Sequence, residues 1–114
     1  ELGVTLNKDK DQEYSIEFST GALKDLKAKA ATHLNEIFEE IQVLGTEPLA
    51  GDLLEGSLAK VRSLHFSLKG SGQWRAAYYV MTEEKVCLIL LVATRENFYK
   101  KANSRYRSIK KSLK

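Results

Sequence analysis

Apolar residues recur along the chain with two different periods, which divide it into helical and strand-like segments. Between Thr20 and Leu44 they return every three or four residues, as on one face of an α-helix. These apolar positions are Leu23, Leu26, Ala30, Leu34, Ile37, Phe38, Ile41 and Leu44. The stretch AATH at 30–33 favours a break, and Gly45 and Pro48 end the pattern. A helix pair is therefore predicted.

Alternating patterns predict strands on both sides of this helix pair. YSIEFS at 14–19 fits a short strand, and GSG at 70–72 fits the turn of a later hairpin. The two hairpin strands are RSLHFSLK and QWRAAYYVM. In the first, apolar Leu64, Phe66 and Leu68 alternate with polar Ser63, His65, Ser67 and Lys69. VCLILLVA at 86–93 is apolar at both parities, so we predict a central strand covered on both faces.

The C-terminal segment predicts a basic amphipathic helix, with Phe98, Ala102, Tyr106, Ile109 and Leu113 at helical spacing. The element order predicts an α+β fold: a small antiparallel-rich sheet of about four strands, with the N-terminal helix pair on one face and this basic helix at the end. Residues 14–114 are predicted to form one domain after a polar extension, 1–13. The polar parity of the middle strands would then cluster on the less covered face, grouping His65, Lys69, Arg75 and Tyr79.

Charge is distributed unevenly over the 114 residues. Residues 1–57 carry 5 Lys/Arg and 12 Asp/Glu, a balance of −7, and residues 58–114 carry 13 and 3, a balance of +10, which together give the net charge of +3. A basic half favours a polyanionic partner, because it concentrates phosphates and gains by releasing their counterions. The alternative is that acidic and basic elements neutralise each other within the fold.

Several kinds of chemistry fit the sequence poorly. The longest apolar run is far shorter than the ~18 residues that a membrane span needs. Cys87, the single cysteine, lies in that run and is predicted to be a buried apolar residue. No Cys/His spacing indicates zinc, and LKGSGQ lacks the terminal Lys-Ser/Thr pair of a phosphate-binding loop. We therefore expect no metal and no small-molecule cofactor.

From Tyr14 onward, four segments follow one another in a recognisable order: EFSTGALKDLKAKAATHLNEIFEEIQVLGTEPL, then VRSLHF, GSGQWRAAYYV and CLILLVATRENFYKKA. In this order the sequence resembles the RelE/ParE toxin superfamily of type II toxin–antitoxin systems. Its most specific parts are Trp74 and Arg75 entering a strand after a turn, and Arg95 at the end of a strand with Tyr99 shortly after. The RelE branch implies a small cytoplasmic endoribonuclease that cleaves messenger RNA in the ribosomal A site and is held inactive by a cognate antitoxin.

This resemblance also implies roles for individual residues. Arg75 and Arg95 would hold the scissile phosphate, since a guanidinium stays protonated and pairs with two phosphate oxygens. Tyr99 would stack on or orient the substrate, and His65, where relatives carry lysine or arginine, would act as general base or acid. These four residues are the expected catalytic set. The residues expected to contact RNA are Arg62, Lys69, Lys100 and Lys101.

Alternatives remain open for these residues and for the function. Arg75 or Arg95 would instead form a surface ion pair with Glu83 or Glu96, Tyr99 would pack on the core, and His65 would be structural. The chain would then be a ParE-like inhibitor of DNA gyrase, or a binding-only module for an antitoxin or RNA. In each case the resemblance implies an antitoxin partner, for which an acidic amphipathic segment that folds on binding is suited; the ribosome and messenger RNA are implied only for the nuclease, and no membrane partner is expected.

Overall fold

Three α-helices and six β-strands make up most of the described part of the chain. In the computed structural model, which describes residues 2–6, 13–29 and 31–112, the helices are α1 (Thr20–Lys29), α2 (Leu34–Ile41) and α3 (Phe98–Ile109). Short 3₁₀ turns, Ala31–His33, Gln42–Gly45, Gly56–Leu58 and Lys110–Ser112, join or extend these elements. The predicted helix pair and the predicted C-terminal helix are therefore confirmed, while Ala30 and Leu113 lie outside the described residues.

The strands form one mixed sheet. Its members in the described part of the chain are β1 (Leu2–Leu6), β2 (Ser15–Ser19), β3 (Asp52–Leu53), β4 (Val61–Leu68), β5 (Gly72–Met81) and β6 (Val86–Thr94), in the spatial order β1-β2-β6-β5-β4-β3. All neighbouring strands are antiparallel except β2 and β6, which are parallel and are separated in the chain by α1, α2 and the strands β3 to β5. Residues 86–93 of β6 are all buried, so the prediction of a central strand is confirmed.

Helices cover both faces of this sheet. The side chains of α1 and α2 bury one face, which carries Phe18, Phe66, Trp74, Tyr78 and Ile89. On the opposite face, α3 packs through Phe98 and Ala102 against a second core cluster, whose other members are Leu54, Leu58, Val61, Ala77, Leu88, Leu90, Leu91 and Ala93. None of the described helices is long and apolar enough to cross a membrane.

The α+β class is confirmed, but the sheet contains more strands than the four expected. Leu2–Leu6, predicted as part of a polar extension, pairs with β2 as an edge strand, and the two-residue β3 closes the other edge. The rest of that extension, residues 1 and 7–12, lies outside the described residues. Leu2, Val4 and Leu6 alternate with Gly3 and Thr5, a strand pattern that the prediction missed, whereas the two-residue β3 is too short to show a period.

The loop before β3 is fastened to the sheet by one tyrosine and one arginine. The buried Tyr78 hydroxyl donates to the Pro48 carbonyl (2.7 Å) and accepts from the Gly51 N–H (2.8 Å). The Arg62 guanidinium donates to the carbonyls of Gly51 (2.6 Å) and Leu49 (3.3 Å). Burial raises the pKa of Tyr78 above that of a free phenol. This loop position is therefore determined by side-chain hydrogen bonds to backbone groups.

Candidate functional site: a row of polar side chains beside helix α3

The face of the sheet that α3 covers also carries a partly open polar row. In the β4–β5 pairing His65 lies directly opposite Arg75, and in the β5–β6 pairing Arg75 lies opposite Ala93. His65 is exposed and Arg75 is half-buried. Directly opposed residues share a face at short range, so the imidazole and guanidinium emerge side by side. The predicted proximity of His65 and Arg75 is therefore confirmed.

Two aromatic rings from the first turn of α3 hold the Arg75 guanidinium. Its central carbon lies 5.4 Å from the centre of the Phe98 ring and 6.0 Å from that of Tyr99. Phe98 is buried and packs edge-on against Tyr99, with 5.7 Å between the ring centres. A cation at this distance is attracted to the face of an aromatic ring without losing its charge. Arg75 is thus restrained by neutral groups, and Tyr99, 57% exposed, faces solvent beside it.

Arg95 begins the tight turn between β6 and α3. It follows the Trp74–Thr94 pair, so its backbone lies at the same end of the sheet as Arg75. The turn is closed by Phe98 N–H to Arg95 O (3.2 Å) and by Asn97 in the left-handed region (φ 57°), a conformation that asparagine tolerates better than most residues. Arg95 and Tyr99 are both exposed here. The chain therefore brings both predicted arginines and the tyrosine to one end of the molecule.

Neither Arg75 nor Arg95 forms an ion pair with any described residue. Among the described residues the ion pairs are His33–Glu36, Lys85–Glu13 and Arg105–Asp25. Arg75 therefore does not pair with Glu83 or Glu96, and its recorded neighbours are the two rings. Of the described basic residues in the second half, Lys85 and Arg105 form ion pairs with acidic groups of the first half.

The residues expected to contact RNA are divided between different places. Arg62 does not join the row, because its side chain belongs to the opposite parity and its guanidinium binds the Gly51 and Leu49 carbonyls. Lys69 is exposed in the turn after β4, and its N–H donates to the Glu36 carboxylate (3.1 Å). Lys100 is exposed and Lys101 is half-buried. Both directly follow Tyr99 at the start of α3.

Other side chains near the row were not predicted as site residues. Gln73 lies opposite Ser67, one step along from the His65–Arg75 pair, and its Nε2 donates to the Ser67 hydroxyl (2.8 Å). The alternating pattern placed Ser67 on the polar face, whereas Gln73 was assigned to neither face. Phe98 was assigned to the core alone, since no periodicity shows which cation an aromatic ring will meet. Tyr79 lies on the same face, as predicted, and stacks on Tyr106 of α3 with 6.2 Å between the ring centres.

The remaining candidate chemistry is not supported by the geometry. Cys87 is fully buried, as predicted, and its burial raises the thiol pKa to about 12, which suppresses the reactive thiolate. Within the described residues, no group of three or more His, Cys, Asp or Glu side chains is arranged to hold a metal ion. What the row offers is a fixed guanidinium, an adjacent imidazole and an exposed phenol. This is a set suited to binding a phosphate and transferring a proton.

Comparisons with known proteins agree with this fold. The RelBE2 toxin–antitoxin complex of Mycobacterium tuberculosis contains a chain that is 28% identical, with a TM-score of 0.59, covering 73% of this chain and 99% of that one. A double arginine-to-alanine mutant of the Escherichia coli toxin RelE in the free state is 22% identical, with a TM-score of 0.62, covering 82% and 97% respectively. The solution structure of the Helicobacter pylori hypothetical protein HP0892 is 23% identical, with a TM-score of 0.53, covering 73% and 96%. At these two lower identities the likeness is one of fold alone.

A family model gives the assignment. No curated protein sequence matches the chain significantly. The model described as "ParE-like toxin of type II bacterial toxin-antitoxin system", however, matches residues 15–103, from β2 to the middle of α3. The match thus includes both strands of the polar row and the turn that carries Arg95. Since it spans well over half of the sequence, the chain belongs to the ParE-like toxins of type II bacterial toxin–antitoxin systems.

Proposed function

We propose that this toxin is a ribosome-dependent endoribonuclease that cleaves messenger RNA in the cytoplasm. The observation that carries this proposal is the Arg75 guanidinium, which rests against two rings of α3, forms no ion pair with a described carboxylate and lies opposite the exposed His65 in the sheet. A preorganised cation of this kind stabilises charge that develops on a phosphate in the transition state. The first 13 residues are then an addition to a toxin domain that comprises residues 14–114.

The reaction would use the RNA's own 2′-OH as nucleophile. His65 removes the proton of that hydroxyl, the oxygen attacks the adjacent phosphorus, and the 5′ oxygen of the next nucleotide leaves as it takes up a proton. Arg75 and Arg95 neutralise the additional charge on the phosphate oxygens. The exposed ring of Tyr99 stacks on a neighbouring base, and Lys69, Lys100 and Lys101 bind the flanking backbone. In this scheme no metal takes part.

An antitoxin partner is part of the proposal. The similar structures include toxin–antitoxin complexes, among them the intact E. coli RelBE complex, which matches with a TM-score of 0.54. The exposed basic side chains of Lys100 on α3 and of Lys110 and Lys111 in the 3₁₀ turn after it favour an acidic segment that orders on binding. Occupation of the surface around Tyr99 by such a segment would exclude RNA.

A gyrase inhibitor of the ParE type is the second candidate, because the matching family model is described as ParE-like. Such a protein acts by binding its target enzyme and needs no phosphate-binding arginine next to a proton acceptor. The two candidates therefore differ in what they require of Arg75 and His65.

A coupled translation reaction with a reporter message, run beside a gyrase supercoiling reaction, separates the two. Primer extension on the message after addition of wild-type protein is expected to reveal cuts within translated codons, and these are expected to disappear with Arg75→Ala. Lys110→Ala, an exposed change in the 3₁₀ turn after α3, serves as the control and should preserve cleavage. Intact message together with loss of supercoiling would assign the protein to gyrase inhibition instead.

A further inference from the structure

Strand β6 loses its β2 neighbour just before it reaches the polar row. The β2–β6 pairing extends from Ser15/Val86 to Phe18/Ile89, and the chain then turns into α1. Two side chains replace the missing strand. Asp25 of α1 accepts the Val92 N–H at its Oδ2 (3.0 Å), and Arg105 of α3 donates through Nη1 to the Leu90 carbonyl (2.7 Å). The backbone groups that β2 leaves unpaired are thus satisfied by an acid and a base from two different helices.

Asp25 and Arg105 also form a bidentate ion pair with each other. The Arg105 Nη2 lies 2.7 Å from Asp25 Oδ1, and Nη1 lies 3.0 Å from Oδ2. The Asp25 side chain is only 15% exposed and the Arg105 side chain 31%, so water screens the pair weakly. We refer to Asp25, Arg105 and the two backbone groups that they bind as the clasp. It joins α1, β6 and α3 at one point.

Two further features show that the clasp is closely fitted on one side and unsupported on the other. A Cβ atom on Gly21 of α1 would lie 2.8 Å from Arg105 Nη1, so a side chain there would displace the guanidinium. On the other side an open cavity of about 290 Å³, lined by Asp25, Lys101, Ser104 and Arg105 among others, adjoins the ion pair. Removal of either member would therefore leave the other charge without its partner beside an open cavity.

The clasp supports both structures that hold Arg75. On β6, Val92 directly precedes Ala93, which lies opposite Arg75 in the sheet. On α3, Arg105 lies about two turns after Phe98 and Tyr99, the rings against which the Arg75 guanidinium rests. We propose that Asp25 and Arg105 are positioning residues that fix the first turn of α3 against Arg75, a proposal that rests on the proposed cleavage function.

Loss of the clasp is expected to reduce turnover more than substrate binding. Arg75 and Tyr99 would remain present, but their geometry would no longer be fixed, and a displacement of about 1 Å can cost roughly 10²-fold in rate. We expect a fall in kcat of about 10- to 100-fold for Arg105→Ala with KM for the ribosome–message complex changed less than threefold. Arg105→Lys keeps one donor and should recover part of the rate.

The test combines cleavage kinetics with a measurement that does not require activity. Protein labelled with 3-fluorotyrosine is compared by ¹⁹F NMR for the wild type and for Arg105→Ala, Arg105→Lys, Asp25→Asn and Arg75→Ala, with the Tyr99 signal assigned from Tyr99→Phe. Arg107→Ala, an exposed change on the same helix, is the matched control. Asp25→Asn retains an acceptor for Val92 and therefore serves if Arg105→Ala fails to fold.

The Tyr99 signal in Arg105→Ala and Asp25→Asn is expected to move toward its position in Arg75→Ala, because in each case the ring loses the cation. In Arg107→Ala it should stay in place. An unchanged Tyr99 signal in a folded clasp variant would overturn the proposal, and so would an unchanged kcat where the wild type cleaves. If the wild type does not cleave RNA, the cleavage function fails, while the shift of the Tyr99 signal still decides whether the clasp positions α3.

Discussion

The Arg75 guanidinium rests on the Phe98 ring, 5.4 Å from its centre, and so connects β5 to the first turn of α3. An arginine held by a carboxylate is already neutralised, whereas one held by an aromatic ring keeps its charge available to a ligand. The contact also restricts the long side chain before any ligand arrives. Arg75 is therefore prepared to bind an anion at little further cost in conformational entropy.

Arg75→Ala is expected to lower the cleavage rate by ~10²–10³, as for removal of a preorganised charge-stabilising donor. Arg75→Lys is expected to recover little, because a lysine keeps the charge but cannot pair with two phosphate oxygens in one plane. Single-turnover cleavage of a translated message measures both effects. Equal activity of Arg75→Lys and the wild type would show that only a point charge is needed at this position.

His65→Gln is expected to lower the same rate by ~10²–10⁴ if the imidazole transfers a proton. Glutamine preserves a polar side chain of similar length on the exposed face, so the sheet should remain unchanged. Gln73→Ala, one step along the same face, removes a neighbouring polar group and is the comparison for simple surface effects. A rate for His65→Gln within twofold of the wild type would leave His65 without a catalytic role and would move the proton-transfer step to another group.

The helices and long strands follow from periodicity, because each buries one continuous face of its own residues. The apolar stripe of α2 gave its position, and the two-sided apolar run gave β6 as a central strand. Periodicity does not show which face of a sheet a helix will cover. α3 therefore appeared as a terminal element, whereas in the structure it covers the second face and completes the surroundings of Arg75.

The candidate site was predictable to the extent that it depends on strand register. Alternation alone placed His65 and Arg75 on one face, and the structure puts them directly opposite each other. Arg62 illustrates the limit, since a basic residue in a strand was counted as a phosphate ligand although its guanidinium binds the Gly51 and Leu49 carbonyls. Contacts between residues far apart in sequence, such as Asp25 with Arg105, carry no signal in a single chain.

Tyr78→Phe is expected to destabilise the fold by about 1–3 kcal/mol, because the Pro48 carbonyl and the Gly51 N–H would each lose a partner in a buried place. Tyr79→Phe removes a phenol hydroxyl from the neighbouring half-buried residue and should change stability by less than about 0.5 kcal/mol. Urea unfolding followed by far-UV circular dichroism gives both values. Equal midpoints for the two variants would show that the hydroxyl bonds of Tyr78 contribute nothing net.

The Tyr78 hydroxyl also predicts loss of stability in alkali. Its pKa is raised by burial, so the folded state favours the neutral phenol. Such a group contributes stability that is fully present below the unfolded pKa of ~10 and is lost as pH rises through the folded pKa. The stability difference between the wild type and Tyr78→Phe should therefore shrink as the pH rises from about 10 through the folded pKa of Tyr78.

Glu36 is expected to make stability depend on pH in the acid range. Its carboxylate binds the His33 imidazole (3.0 Å) and accepts a hydrogen bond from the Lys69 N–H (3.1 Å). Both hydrogen bonds lower the pKa of Glu36, and the bond to His33 has the larger effect. A group with a lowered folded pKa contributes stability above its unfolded pKa of ~4.3 and loses that contribution as pH falls through the folded value.

Glu36→Gln should therefore be less stable than the wild type at neutral pH, and the difference should narrow steadily as the pH falls below about 4.3. Glu39→Gln removes an exposed carboxylate from the same helix without breaking a recorded bond, so its difference from the wild type should stay small throughout. Thermal unfolding between neutral and acid pH measures both. The Glu36 carboxylate connects α2 to the turn that carries Lys69. If Glu36→Gln were less stable than the wild type by the same amount at every pH, the charge of the carboxylate would not be what stabilises this contact.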